Sequence, residues 1–526
     1  MRNKLHILRI ALCCSAIFLF SCALYGQKGI LELLPGTYKL SFDEKAGAHK
    51  LSGGGVNFNY QGNTLYCDSA LFFEKKNQVK AYGKVHLNKN DTLNLFCDSL
   101  WYNGNTKKAL LWGNVRVRDR EYKLATDSLE YDARTGRGIY RHGGKIESIL
   151  QNEVLTSKIG HFYPDSKNFF FGGDVKYRSD SLQMDTDTLR YQYLKKMVFF
   201  YGPTHIRTKD AVFFCEKGWY NTQNEEGVLE KNAKIIKDSK IIQGDSLYTH
   251  LSSGISVGKG NVSYSDSTSK ISLKGEYAYM NEKQRFNYVT RKALGIYRLK
   301  EDTLYIHADT LFSFQDSLNE LSVLRANYDV QLYSKDFQGK CDSLVFDKKK
   351  DVAELYRAPI GWSRNAELKG NFMKVHLRDS IIDRVEIIDK ATAVMEIDSG
   401  NYYNQIGGKN MMAFFKDNEL VRVEVTQNAQ TIYFPQDTLY QDTVVEIKRS
   451  GMARLYASNL KVYLDSGEVT GIVYLGMPDG VLYPMQQINK EEQFVKGFSW
   501  NPVLRPRSVE DLFVPAEEKK KRSEVP

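Results

Sequence analysis

The sequence predicts an all-β fold: an elongated, stacked β-jellyroll or solenoid-like array of about a dozen repeats, each of about 30 residues, with little helix. Three observations predict it. The 526-residue chain holds only 11 Pro, and six of these stand at or after Pro478, so the body keeps the backbone donors a sheet ladder needs. Tyr (33) and Phe (27) are abundant, and these residues pack well on a pleated surface. Almost no window repeats its apolar residues at a period of 3.6, whereas short alternating runs recur throughout.

The elements follow in order. "MRNKLHILRIALCCSAIFLFSCALYGQ" opens with Arg2, Lys4 and Arg9, continues with an apolar run from Ile10 to Phe20, and ends in small residues. This pattern is a secretory signal, residues 1–26, too short for a permanent membrane span. Two processing outcomes compete: cleavage after Ala23 or Gly26, or lipidation of Cys22 within "LFSC". Residues 27–51 form a lead-in, and Gly53 to Gly55 read as a flexible loop. Residues 52–265 carry the clearest repeats. Residues 266–484 continue them with longer loops. Residues 485–526 are Pro-spaced, then charged, and are expected to be partly disordered.

The repeat is marked by an Asp-Ser/Thr-Leu triplet. It recurs at Asp98-Ser99-Leu100, Asp127-Ser128-Leu129, Asp187-Thr188-Leu189, Asp245-Ser246-Leu247, Asp309-Thr310-Leu311 and Asp342-Ser343-Leu344, after an opening Asp68-Ser69-Ala70. A second mark runs in phase: a turn, an alternating strand, then Gly and Val, as in "NTKKALLWGNV" and "SSGISVGKGNV". Such a unit cannot bury an apolar face alone, but stacked units can. Each Leu is expected to point inward. An aromatic follows two residues later, at Phe72, Tyr102, Tyr131, Tyr191, Tyr220 and Phe346. The recurring Asp at positions 68, 98, 127, 187, 245, 309 and 342 reads as a structural corner, its carboxylate accepting backbone N–H groups at a bend.

Cys67, Cys97, Cys215 and Cys341 all precede the Asp position or its degenerate copy, where other units place Thr, Gly or Ala. Burial of a small side chain explains them. A Cys67–Cys97 disulfide would suit an oxidising compartment, although neighbours on a sheet ladder hold their Cβ atoms wider than that bond prefers.

The net charge of +10 and pI near 8.9 permit an anionic partner. The Arg residues are scattered and the body has no dense basic run, so nucleic acid is not expected as a partner. The nine His fall in no metal-protease spacing, and no nucleophile elbow or phosphate-binding loop is present. Asp185 and Asp187, with Asp342 repeating the Asp187 position, leave a β-helical carbohydrate enzyme as an alternative reading. Repetition weighs against it, because a catalytic Asp is needed once. No enzyme activity, cofactor or metal is expected. A structural or adhesive solenoid is the other alternative.

"CDSLWYN…ALLWGNVRVRD" (Cys97 to Asp119) and "TDSLEYD…GIYRHGGKIES" (Thr126 to Ser148) resemble the OstA/LptA-like family of periplasmic lipopolysaccharide-transport and outer-membrane assembly proteins. The likeness is strongest over residues 52–265 and is of the long Bacteroidetes type. The resemblance implies a non-enzymatic assembly factor in the periplasm, possessing an apolar trough for the acyl chains of lipopolysaccharide or a related lipid. It implies partners of the same β-stack type joined end to end by strand addition, and an outer-membrane association or lipid anchor. The trough residues it points to are Phe72, Leu100, Tyr102, Leu129, Tyr131, Leu189 and Tyr191. A closed core built from the same residues is the competing reading.

Overall fold

The computed structural model describes residues 32–523, apart from scattered turn positions such as 61–62, 90–92 and 164–167. The segment expected to be an export signal, with Cys22, lies outside the described residues. Strand accounts for 72% of the structure and helix for 6%, so the all-β reading holds. Two compact units divide the chain: residues up to 238 together with 243–256, and residues 239–242 together with 257 onward.

The first unit shows how the repeat folds. Gln78–Lys89, Leu93–Asn103, Lys108–Arg118 and Tyr122–Asp132 are long antiparallel strands, each hydrogen-bonded to the next. Every pairing breaks once near its middle, for example between Tyr82 and Val85 and between Phe96 and Ser99. The break is a bulge with left-handed backbone, as at Gly83-Lys84, Gly113-Asn114 and Gly173-Asp174. A bulge inserts residues on one strand and bends it. Each strand therefore crosses a corner and contributes to two facing half-sheets. The inner positions Ala109, Leu111, Val115 and Val117 are buried on both sides of the corner, while Leu110, Trp112 and Arg116 face out.

The corner explains the recurring Asp. Asp98 sits against Gly113 of the next strand, where an added Cβ would fall 2.5 Å from its carboxylate oxygen. Its carboxylate also accepts a 2.8 Å hydrogen bond from the Asn114 side chain. Gly113 is required twice over, by its φ of +77° and by the close approach of Asp98. Asp68 with Gly83 and Asp187 with Gly202 repeat the arrangement. Lys158 takes the same place against Gly173 in the degenerate copy "TSKIG".

Each repeat supplies two long strands, so equivalent residues of successive repeats are not neighbours. Val85 pairs with Cys97, and its strand also pairs with Asn63–Cys67 on its other side. Cys67 and Cys97 are therefore two strand spacings apart, roughly 10 Å, and both are free thiols. The disulfide considered from sequence is ruled out by the intervening strand. Burial pushes the Cys67 thiol up to about 11 and Cys97, Cys215 and Cys341 up to about 12. The folded thiols stay protonated where unfolded ones, with an ordinary value of 9.0, already ionise, so this contribution to stability is full below pH 9 and is lost by about pH 11 to 12. At pH 8 the native protein should resist iodoacetamide at all four positions. In rising denaturant, alkylation of Cys67, Cys97 and Cys215 should report opening of the first unit and Cys341 that of the second. Fast alkylation of the native protein would contradict this burial.

Two boundaries differ from expectation. Lys39–Asp43 and Ala48–Ser52 are paired strands, and the latter also joins Ser69–Phe73, so the lead-in is part of the array. Gly53 and Gly55 have positive φ and form a corner rather than a loose loop. The tail is also ordered. Residues 485–515 run as an extended strap with short 3-10 turns, followed by a helix at Ala516–Ser523. Its order comes from the sheet it covers, not from its own composition.

In the second unit the strap lies across the outer face of one half-sheet. Gln405 grips its backbone at two points, donating to the Gln493 carbonyl at 2.8 Å and accepting from the Val495 N–H at 3.0 Å. Glu367 is fully buried. It accepts from the Trp362 indole at 2.8 Å and from the Asn501 backbone and side chain at 2.9 and 3.0 Å, and pairs with Lys369 at 3.0 Å. Gln338 accepts from Arg505 at 2.7 Å, Gln331 accepts from Lys519 at 2.8 Å, and Phe513 packs on His307 with centroids 4.6 Å apart. Buried polar groups are tolerated there because each finds its partner on the strap.

Candidate functional site

The interior between the two half-sheets is the candidate site. In the first unit the Leu row is fully inside: Leu100, Leu129, Leu189 and Leu247 are all buried. Of the aromatic row, Tyr191 is buried, whereas Phe72, Tyr102 and Tyr131 are half-buried at the strand ends. Large and small residues alternate along this margin. Tyr102 lies opposite Val79 and Ala109 and Tyr131 opposite Ala109 and Gly138, whereas Tyr191 lies between Phe169 and Val198. Burial pushes the Tyr131 hydroxyl above its ordinary range and Tyr220 to about 12, as expected of an interior that disfavours charge. The seven sequence-predicted residues thus share the inner face, four deep within it and three along its margin.

Close packing leaves little free space there. Leu124, Ile146, Leu129, Phe162 and Phe169, drawn from both half-sheets, surround a void of about 30 Å³. The adjoining corner is filled by Tyr140. Its ring lies in a slot where a Cβ on either Gly144 or Gly160 would overlap it. Its hydroxyl shares a 2.7 Å hydrogen bond with buried Ser157.

The second unit is more open inside. Leu304, Ile306 and Leu332 from one half-sheet face Leu324, Phe346, Leu355 and Val375 from the other across a cavity of about 100 Å³. Asp302, Ser334 and Asp336 stand at its mouth. Sequence reasoning did not find this cavity, because the Leu and aromatic rows read alike in every repeat. A second apolar void of about 50 Å³ lies among Leu368, Ala393, Ile406, Val423 and Ile472.

The corner Asp residues lie at the bulges, away from the interior. Asp98, Asp127, Asp187, Asp245 and Asp309 are exposed, and Asp68 and Asp342 are half-buried. Asp342 is paired with Arg357 at 3.1 Å, and Asp309 accepts from the Thr310 hydroxyl at 2.9 Å. Asp185, the other carboxylate considered for catalysis, is held by Arg178 at 2.5 Å. These contacts fit a structural role at each corner.

Residues 36–187 match the family described as OstA-like protein. Among solved structures, one match is LptH of Pseudomonas aeruginosa, described as the LptA-homologous periplasmic component of the lipopolysaccharide transport device. It is 14% identical, the match covers 25% of this chain and 78% of that one, and the TM-score is 0.14. No curated protein matches. Residues 36–187 are thus similar to the OstA-like family, and the strand–corner–strand repeat of that segment continues beyond it.

Proposed function

We propose that the protein is a non-enzymatic outer-membrane assembly factor that shelters the acyl chains of lipopolysaccharide, or a related glycolipid, between its half-sheets in the periplasm. The observation that carries this reading is the apolar cavity between Leu304, Leu332, Phe346 and Leu355, within a chain that starts with an OstA-like domain. At about 100 Å³ the cavity is smaller than the roughly 150 Å³ that holds a benzene. An acyl chain therefore enters by parting the half-sheets of the second unit beside Asp302, Ser334 and Asp336 at the cavity mouth, with the strand corners serving as hinges.

Exposed terminal strands support partners of the same architecture. Lys39–Asp43 pairs only with Ala48–Ser52 among the described residues and exposes Leu40 and Phe42. Glu468–Leu475 and Asp479–Pro484 each pair only with Gly451–Asp465 among the described residues, and they expose Val473, Val481 and Leu482. Unpaired edges with apolar side chains are templates for an added strand.

The test places a photo-activatable phenylalanine analogue at Tyr102, Tyr131 and Phe346, with Trp112 on the outer face as control. Capture of lipopolysaccharide in cells at the three inner positions and not at Trp112 is the expected result. Capture at none of the inner positions, in protein that folds and reaches the periplasm, would reject the lipid-sheltering role.

A further inference from the structure

The second half-sheet of the second unit carries a groove on its outer face, back to back with the apolar cavity. It is an open concavity of about 490 Å³ that includes Arg325, Asn327, Tyr356, Arg357, Asn371 and Phe372. Its origin is the corner. Arg357 and Ala358 both have left-handed backbone, as do Tyr328 and Asp329 of a neighbouring corner, and the residues beside these corners line the hollow.

The floor is aromatic. Tyr356 and Phe372 stand on paired strands with ring centroids 5.0 Å apart and tilted by 41°. Tyr356 is fixed by donating a 2.6 Å hydrogen bond to Glu354. The walls are cationic and amidic. Arg325 has no carboxylate within ion-pairing distance among the described residues, and its guanidinium rests on Phe314 at 5.9 Å. Arg357 is mostly exposed although paired with Asp342. The surrounding carboxylates are already engaged: Asp342 by Arg357 and the Ser343 hydroxyl, Glu354 by Tyr356 and Lys374, and Asp389 by Asn371. The lining holds two arginines and no carboxylate.

We propose that this groove binds an anionic saccharide, a sugar ring bearing a phosphate or carboxylate. Aromatic faces take the apolar side of a sugar ring, the two guanidiniums take its anion in fork geometry, and the amides of Asn327 and Asn371 reach hydroxyls. A peptide fits less well. Gln338–Asp347, Val352–Tyr356 and Phe372–Arg378 are all paired on both sides, so no strand edge is left to hydrogen-bond an extended backbone. The groove is separated from the interior by the sheet itself, so the inference stands independently of the lipid reading.

Titration of the full-length protein with three acyl-free disaccharides, followed by NMR and calorimetry, tests it: a glucosamine disaccharide bisphosphate, a digalacturonate and neutral chitobiose. Binding of either anionic sugar, weakened at least about tenfold in the R325Q/R357Q double variant and also in F372A, is expected; which anionic sugar binds identifies the source of the anion. Chitobiose should bind more weakly, and its affinity should not respond to R325Q/R357Q. Failure of both anionic sugars to bind at millimolar concentration would overturn the proposal, as would binding that R325Q/R357Q leaves intact, or tight binding of an acidic peptide in their place. Unchanged alkylation of Cys341 in each variant would confirm that the fold is kept.

Discussion

Glu367→Ala should destabilise the second unit by about 3–5 kcal/mol, the magnitude seen when one partner of a buried charge network is removed. Glu367 is fully buried and receives hydrogen bonds from Trp362 and, twice, from Asn501, with Lys369 beside it. Alanine would leave the indole N–H and the Asn501 backbone N–H without their acceptor under the strap, while the Lys369 ammonium would keep the two Ser499 oxygens but lose its counter-charge. Deletion of residues 488–526 should be worse in one respect and milder in another. It uncovers Trp362, Val394 and Ile432, all buried in the intact protein, but it lets water reach Glu367 and Gln405. Hydrogen exchange separates the two variants. In the deletion, protection should fall across Ile360–Ser363 and Ala366–Lys369 and spread to the Tyr402–Lys416 strand. In Glu367→Ala the loss should centre on residues 360–369. If neither variant changes exchange in these strands, the strap is not a structural tie.

Tyr140→Ala should cost the first unit about 3–5 kcal/mol, as for other large aromatic truncations in a core. The Tyr140 ring fills a slot formed by Gly144 and Gly160, and its hydroxyl is bonded to buried Ser157. No other side chain can collapse into the slot, because both walls are glycine, so the cavity persists and joins the void beside Leu129 and Phe169. Denaturant-dependent alkylation of Cys97 and Cys215 would read the loss, and Cys341 should not respond. The same variant probes function. If acyl chains enter the first unit, the enlarged interior should raise lipid cross-linking at Tyr131. Unchanged stability of Tyr140→Ala would show that the slot relaxes, contrary to its glycine walls.

Much of the fold was legible. The phased triplets identified the repeat, and the Leu and aromatic positions fell on the inner face, because a period-2 strand fixes which side chains share a side. The recurring Asp was expected to accept backbone N–H groups at a bend; Asp98 sits at a bend and accepts from the Asn114 side chain instead. Three things were not legible. The spacing between equivalent residues was misjudged for Cys67 and Cys97, because the triplet marks only one of the two strands in each repeat. The free volume fell in the second unit, where no motif changes; a void is a small difference between large side-chain volumes and leaves no pattern. The strap was hidden for a different reason. Gln331, Gln338, Glu367 and Gln405 occupy outward positions and look like solvated sheet residues, while Leu512 and Val495, buried in the structure, sit in a segment whose Pro spacing and charge suggested disorder.

The strap also sets an order of events. The strands it crosses, from His307 to Gln405, precede it in the chain, and neighbouring strands can pair as they emerge. Until residues 493–519 arrive, Trp362, Glu367 and Gln405 present an apolar and charged face to water. The segment that closes this face follows in the chain every strand that it covers, so the second unit is an incomplete sheet until residues 493–519 have been made. Completion of the sheet is thereby coupled to delivery of the strap, and a chain halted before residue 493 carries an open surface that folding factors can recognise.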